Sequence, residues 1–146
     1  MITGFNHTGF VVKDREAMVS FYRDTLGLTV LRERDQPPES TKHTGIPNAH
    51  RFLVFVGLPE GHHSLELVHY IDPPAPEGHL TQNQQGSAHV AFNVDDLATL
   101  HRDLAAKGVR FTTPPLFHES SQGGQFGIVY CQDPEGNWLE FLQGVP

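Results

Sequence analysis

The chain has 146 residues, of which 38% are hydrophobic and 18% are charged, a composition typical of a folded domain rather than of a disordered segment. Its 17 acidic residues outnumber its 10 basic residues, and the formal net charge is −7. Because the Lys and Arg residues are scattered along the sequence, nucleic acids and anionic membranes are disfavoured as partners.

The cysteine content and the N-terminal sequence favour a cytoplasmic protein. Cys131 is the single cysteine, which excludes an internal disulfide, and we interpret it as a small buried strand residue. Residues 1–12 lack the basic region and the apolar stretch of a signal peptide. No apolar run approaches the ~20 residues of a membrane span.

The first half of the chain predicts one helix among four strands. Alternating apolar residues predict a strand over residues 4–12. Asp14 is placed to cap a helix that Gly27 ends. Three more strands are predicted at residues 28–34, 51–56 and 64–70, and the proline-containing residues 35–49 predict a long loop.

Residues 71–86 are rich in Pro and Gln and have the composition of a linker, after which the same order of elements begins again. A strand at residues 88–94 precedes a helix that Asp96 caps and Gly108 ends. Three further strands are predicted at residues 109–112, 126–131 and 137–143, with a second long loop at 114–125.

Corresponding residues in the two halves recur at similar offsets. The matching pairs are His7 and His89 (82 residues apart), Asp14 and Asp96 (82), Gly27 and Gly108 (81), and Glu66 and Glu140 (74). This repetition predicts an α+β fold of two βαβββ modules in one domain spanning residues 1–146. The first module covers residues 1–70, the linker 71–86 and the second module 87–146.

His7 and His89 are predicted to occupy equivalent faces of their strands. Successive side chains in a strand point to opposite faces. His7 therefore shares a face with Gly9, and His89 with Ala91, while the opposite face of each strand is apolar. The small residues leave space beside each imidazole, and the apolar faces are suited to pack under the helices.

Two carboxylates complete a candidate metal site. Glu66 and Glu140 each lie in the middle of an apolar strand, where a carboxylate is costly to bury unless it is paired or coordinated. We therefore predict that His7, Glu66, His89 and Glu140 hold one divalent metal ion. The ligand types suit Zn, Ni, Co, Mn or Fe(II) and do not select among them.

Five segments resemble the vicinal oxygen chelate superfamily, which includes glyoxalase I, methylmalonyl-CoA epimerase, extradiol dioxygenases, and fosfomycin and bleomycin resistance proteins. The segments are NHTGFVV (6–12), FYRDTLGL (21–28), LEL (65–67), HVAFNVDDL (89–97) and DPEGNWLE (133–140). The resemblance covers nearly the whole chain. It is specific for the superfamily and much less specific for a reaction.

The resemblance implies an open, cup-shaped mixed β-sheet formed by both modules, with the metal inside, and a homodimer. In glyoxalase I-like members the metal holds substrate oxygens while a carboxylate moves a proton. The implied activity is therefore that of a lyase or isomerase acting on a small molecule, with Glu140 or Glu66 as the catalytic base and Glu140 slightly favoured. We identify no cluster of Arg and Asn in the sequence that indicates a glutathione site.

Two alternatives stay open at this point. His7, His89 and Glu140 also match the two-His, one-carboxylate triad of non-haem Fe(II) enzymes, which would make the protein an extradiol-type dioxygenase with Glu66 behind the ligands. The second alternative is a non-catalytic protein that binds a small molecule or an antibiotic.

We also predict that the loop at residues 114–125 closes over a ligand, because Gly123 and Gly124 permit hinge motion.

Overall fold

The computed structural model of the chain describes residues 1–119 and 124–144. They divide into two compact units, Met1–Gly78 and His79–Pro146, and the division falls inside the segment predicted to be a linker. Each unit contains one mixed β-sheet and one α-helix.

The first unit consists of four strands and a helix in the order predicted from the sequence. Its elements are β1 (His7–Val12), α1 (Arg15–Ser20), β2 (Thr29–Gln36), β3 (His50–Gly57) and β4 (Ser64–Asp72). A π-helical turn, Phe21–Thr25, extends α1. The sheet has the order β1-β4-β3-β2, in which β1 and β4 are parallel and the other neighbours are antiparallel.

The second unit repeats this arrangement with one additional strand. Its elements are β5 (His89–Val94), α2 (Leu97–Ala106), β6 (Arg110–Phe111), β7 (Leu116–Glu119), β8 (Gln125–Gln132) and β9 (Trp138–Gln143). The order is β5-β9-β8-β6, with β5 and β9 parallel, and β7 also pairs with β8. The predicted α+β class and the paired βαβββ modules are therefore confirmed.

The predicted loop at residues 114–125 is wrong in its first part, because residues 116–119 form β7. Leu116 pairs with Ile128 and Phe117 with Gly127 on β8, so this segment gains a ladder of backbone hydrogen bonds. The predicted closure of the loop falls mainly on residues 120–123, which lie outside the described residues. Gly124 has a positive φ of 99°.

Both helices begin at the predicted caps. An Asp14 carboxylate oxygen accepts a hydrogen bond of 3.0 Å from the Ala17 amide, and Asp96 accepts one of 2.9 Å from Thr99. Each aspartate satisfies an amide that has no partner within its helix. No helix among the described residues combines the length and apolar character needed to cross a membrane.

The apolar face of each sheet is buried together with residues of the neighbouring helix. In the first unit Phe10, Val12 and Leu67 are buried, as is Met18 of α1. In the second unit the buried set includes Leu139 and Phe141 of β9, Val129 and Cys131 of β8, and Leu97 and Leu104 of α2. In β1, β4 and β9 these buried residues have one parity, and the predicted ligands have the other parity, on the opposite face of the strand.

Candidate metal-binding site

In the first unit, the parallel pairing of β1 and β4 brings His7 and Glu66 together. Glu66 lies opposite Gly9 and His7 lies opposite Ser64, so the histidine and the glutamate are diagonal neighbours on one face. The distance between His7 Nε2 and Glu66 Oε2 is 3.3 Å. A Cβ atom at position 9 would lie 3.5 Å from Glu66 Oε2, and the glycine therefore leaves room beside the carboxylate.

The second unit reproduces this arrangement in β5 and β9. Glu140 lies opposite Ala91, and His89 lies opposite Trp138. His89 Nε2 is 3.2 Å from Glu140 Oε2. One His–Glu pair therefore forms in each unit, from the same diagonal relation between parallel strands.

The carboxylates of both pairs are largely removed from water. The side chain of Glu66 is 14% exposed and that of Glu140 is 9% exposed. Among the described residues, each carboxylate forms an ion-pair contact with its histidine and with no Lys or Arg side chain. A desolvated carboxylate requires a compensating positive charge, which a protonated histidine or a metal ion would supply.

The hydrogen bond of the His7 ring orients its other nitrogen toward Glu66. His7 Nδ1 lies 2.7 Å from Asn6 Oδ1. Because an amide oxygen only accepts hydrogen bonds, the histidine Nδ1–H is the donor of this bond. Nε2 then carries a lone pair directed at the carboxylate unless a second proton is bound. A histidine held through Nδ1–H in this way is typical of metal ligation through Nε2.

The spacing of each pair fits two neighbouring ligands of one ion. Nitrogen and oxygen ligands lie about 2.1 Å from Zn²⁺, and two such ligands at tetrahedral to right angles are about 3.0 to 3.4 Å apart. The observed separations of 3.3 and 3.2 Å fall in that interval. Within the described residues, neither unit brings a third His, Cys, Asp or Glu into such a group.

The aromatic neighbours of the two pairs differ. The His7 ring contacts Phe55 edge to face, with 5.6 Å between centroids, and the His89 ring contacts Tyr130 in the same way at 5.3 Å. The Tyr130 hydroxyl hydrogen-bonds to the Glu140 carboxylate, and burial, that hydrogen bond and the glutamate charge raise the pKa of Tyr130 to about 12. Phe55 has no hydroxyl to offer Glu66.

A concavity of about 710 Å³ in the first unit is lined by both His7 and Glu66. Its apolar floor is formed by the buried residues Leu53 and Phe55, with Tyr70 packed against the same cluster. The opening beside the first His–Glu pair is therefore large enough for a small organic molecule.

Three arginines line the same concavity. Arg32 and Arg34 extend from β2 and Arg51 from β3. Sequence reasoning missed this cluster, although Arg32 and Arg34 alternate with acidic residues in a strand and so share one face. Joining Arg51 to them requires the register between β2 and β3, which places Arg51 opposite Gln36.

The strand registers show which residues of β3 and β8 share a face with the two glutamates. Phe52 and Val54 take the parity opposite Glu66, since Phe55 is the β3 residue paired with Glu66. In the second unit Tyr130 is paired with Glu140, and Ile128 has the same parity.

The chain is similar to glyoxalases in sequence and in fold. The family model of the Glyoxalase/Bleomycin resistance protein/Dioxygenase superfamily matches residues 4–141. A lactoylglutathione lyase of Pseudomonas aeruginosa is 27% identical over 95% of this chain and 81% of its own length. A lactoylglutathione lyase of Haemophilus influenzae is 28% identical over 94% and 90%. The crystal structure of a glyoxalase family protein from Bacillus cereus matches 98% of this chain and 95% of its own, with a TM-score of 0.86 and 20% identity.

Proposed function

This chain belongs to the glyoxalase/bleomycin resistance protein/dioxygenase superfamily, and from that premise we propose that it is a divalent-metal-dependent lyase or isomerase of the glyoxalase I type. The observation that carries the proposal is the pair of desolvated His–Glu contacts with the same geometry in the two units. The names of the similar proteins from Pseudomonas and Haemophilus support lyase chemistry on a small molecule.

In this proposal His7, Glu66, His89 and Glu140 together hold one ion of Zn, Ni, Co, Mn or Fe(II). The ion, when bound, polarises a substrate carbonyl and thereby acidifies the neighbouring C–H bond. The protein's own part is to move the proton. A glutamate carboxylate oxygen takes it from one carbon and returns it to the adjacent one.

The contacts of the two glutamates favour Glu66 as the base, whereas the sequence slightly favoured Glu140. Glu140 is held by the Tyr130 hydroxyl as well as by His89. Glu66 has the apolar Phe55 as its neighbour on β3 and lines the concavity. A carboxylate with fewer partners is freer to move and reach a substrate proton.

The equal spacing of the pairs favours four ligands over the dioxygenase triad. In that alternative His7, His89 and Glu140 bind Fe(II), and Glu66 lies next to these ligands without binding the ion. Glu66 is as close to its histidine as Glu140 is, which supports equivalent roles of the two glutamates as metal ligands.

A homodimer and a cytoplasmic location also belong to this proposal.

Elemental analysis of the purified protein tests the metal site. We expect bound divalent metal in the wild type, loss of that metal in His7→Ala and Glu140→Ala, and retention in His62→Ala. His62 is an exposed loop residue, so its variant controls for the removal of a histidine alone. A wild-type protein that takes up none of the five metals would contradict the proposal.

Two assays on the metal-loaded protein separate the reaction classes. We expect exchange of solvent deuterium into an α-hydroxycarbonyl compound and no oxygen uptake with catechols after anaerobic loading with Fe(II). Formation of lactoylglutathione, the compound in the names of the similar lyases, is the first specific reaction to assay. Oxygen uptake without exchange would favour the dioxygenase instead.

A further inference from the structure

The concavity of the first unit carries more basic than acidic side chains, although the whole chain has a formal net charge of −7. Arg32, Arg34 and Arg51 line it, and the lining carboxylates are Glu33 and Glu66. The His7–Glu66 pair occupies one end of this lining. The arginines therefore form a local positive field in an otherwise acidic protein.

Strand register sets the distances of the arginines from the His–Glu pair. Glu66 lies opposite Phe55 on β3, Arg34 lies opposite Leu53, and Arg51 is two residues further along β3. Each two-residue step along a strand advances about 7 Å. Neighbouring strands are about 4.8 Å apart, and Arg34 lies two strands from Glu66 whereas Arg51 lies one strand away. The Arg34 position is therefore about 12 Å from the Glu66 position, and the Arg51 position about 14 Å.

Arg51 is fixed in position by two neutral partners. Its Nε donates to Gln36 Oε1 at 2.6 Å, and its Nη2 lies 2.8 Å from His43 Nε2. Gln36 is itself buried. These contacts occupy two of the five guanidinium N–H donors, and neither partner neutralises the charge.

The other two arginines also lack an acidic partner. Arg32 lies over the Phe55 ring, with its guanidinium carbon 3.8 Å from the centroid. Within the described residues, none of the three arginines takes part in an ion pair. A cluster of guanidinium groups held without counter-ions is suited to bind carboxylate or phosphate oxygens in a forked geometry.

We propose that Arg34 and Arg51 bind an anionic group, a carboxylate or a phosphate, of the substrate whose reacting oxygens lie at His7 and Glu66. The substrate is then an elongated small molecule, because the positions of Arg34 and Arg51 lie about 12 to 14 Å from the position of Glu66. The part of the substrate between its two ends lies in the concavity that Leu53 and Tyr70 help to line. The statement that the ligand is a substrate rests on the proposed function, whereas the anion site itself does not.

Calorimetric titration of the full-length, metal-free protein tests the anion site. The probes are inorganic phosphate and malonate, each added at constant ionic strength in chloride, because screening weakens exposed charge pairs. We expect saturable binding of one probe or both, and the one that binds more tightly identifies the anion. Arg34→Gln and Arg51→Gln are each expected to weaken binding about tenfold or more, since a charge-assisted hydrogen bond is lost.

Arg23→Gln is the matched control. Arg23 is an exposed arginine paired with Asp24 and does not line the concavity, so its removal changes net charge equally without touching the site. Arg34→Gln should melt at the wild-type temperature without ligand, because Arg34 holds no ion pair. The proposal is overturned if neither probe saturates the wild type, or if Arg23→Gln weakens binding as much as Arg34→Gln.

The two proposals fail separately. Anion binding in metal-free protein that never takes up metal would leave the arginine site and remove the metal-dependent activity. Metal uptake without saturable anion binding would leave the proposed function and remove the arginine site.

Discussion

At the level of single residues, Glu66 and Glu140 have equivalent strand positions and different neighbours. We expect Glu66→Gln to slow proton exchange by about 10²- to 10⁴-fold, the range for loss of a general base, and Glu140→Gln to have the smaller effect. The reason is that Tyr130 and His89 both hold Glu140. Deuterium incorporation measured by NMR gives the two rates.

Both glutamine variants must keep their metal for this comparison, because a lost ion would abolish exchange whichever glutamate moves the proton. Elemental analysis of each variant provides that control. A larger loss of exchange in Glu140→Gln, with metal retained in both, would assign the base to Glu140 and contradict the argument from neighbouring contacts.

Cys131 is expected to be inert in the folded protein. It is fully buried, and burial together with the nearby Asp133 charge raises the pKa of its thiol to about 12. At pH 8 the reactive thiolate is then about one part in ten thousand. We expect no reaction of the native protein with an aromatic disulfide reagent at pH 8 and one thiol per chain in denaturant. Stoichiometric labelling of native protein within minutes would contradict this.

The residues of the two His–Glu pairs could be singled out from the sequence, whereas the arginine cluster could not. His7 and Glu66 stand out because each is a polar residue in an otherwise apolar strand, with a counterpart in the second half. Arg32 and Arg34 lie in a strand whose register is shifted by an irregularity between Val30 and Arg32. Such a shift moves side chains to the other face, so their face depends on tertiary pairing.

At the level of elements, Gly127 allows β7 and α2 to approach β8. A Cβ atom at this position would lie 2.8 Å from Phe117 Cε1 and 2.9 Å from Leu97 Cδ2. We expect Gly127→Ala to lower the free energy of unfolding by about 1 to 3 kcal/mol, the usual range for overpacking. Denaturant titration followed by circular dichroism measures the change.

Gly4→Ala is the control for this substitution. A Cβ atom at position 4 has no neighbour within 4 Å, and the backbone there has no positive φ. Its free energy of unfolding should stay within about 0.5 kcal/mol of the wild type. If Gly127→Ala were equally neutral, the close approach of Phe117 and Leu97 to β8 would be incorrect.

The long strands were predicted, and the short strand β7 was not. The strands of His7, Glu66, His89 and Glu140 have six to nine residues, which is long enough for their strand character to be recognised in the sequence. Strand β7 has four residues, all exposed, and follows two prolines. Its strand conformation comes from pairing with β8 rather than from any apolar alternation of its own.

At the level of the whole molecule, the duplication explains why the two His–Glu pairs have the same geometry although their spacing in sequence differs. The histidines are 82 residues apart and the glutamates 74, so the stretch between the histidine and the glutamate is longer in the first half than in the second. Each pair is nevertheless set by the same diagonal step across parallel strands. Loop length is free to vary because it affects stability only weakly, whereas strand register determines which atoms meet.

This duplication leads to a prediction about stoichiometry. Two ligands from each unit are too few to hold a transition ion firmly, and structural or catalytic sites typically use three or four protein ligands. We therefore expect one ion per wild-type chain. Two double variants, His7→Ala with Glu66→Ala and His89→Ala with Glu140→Ala, should each lose the ion completely.

The contrasting outcome is equally specific. If each unit bound its own ion, wild-type protein would hold two per chain and each double variant would keep one. Metal-to-protein ratios from elemental analysis at matched protein concentrations distinguish these cases. Removing either pair would then leave the other site intact. Retention of one ion in each double variant would therefore show that each unit binds its own ion, and it would contradict a single centre formed by all four side chains.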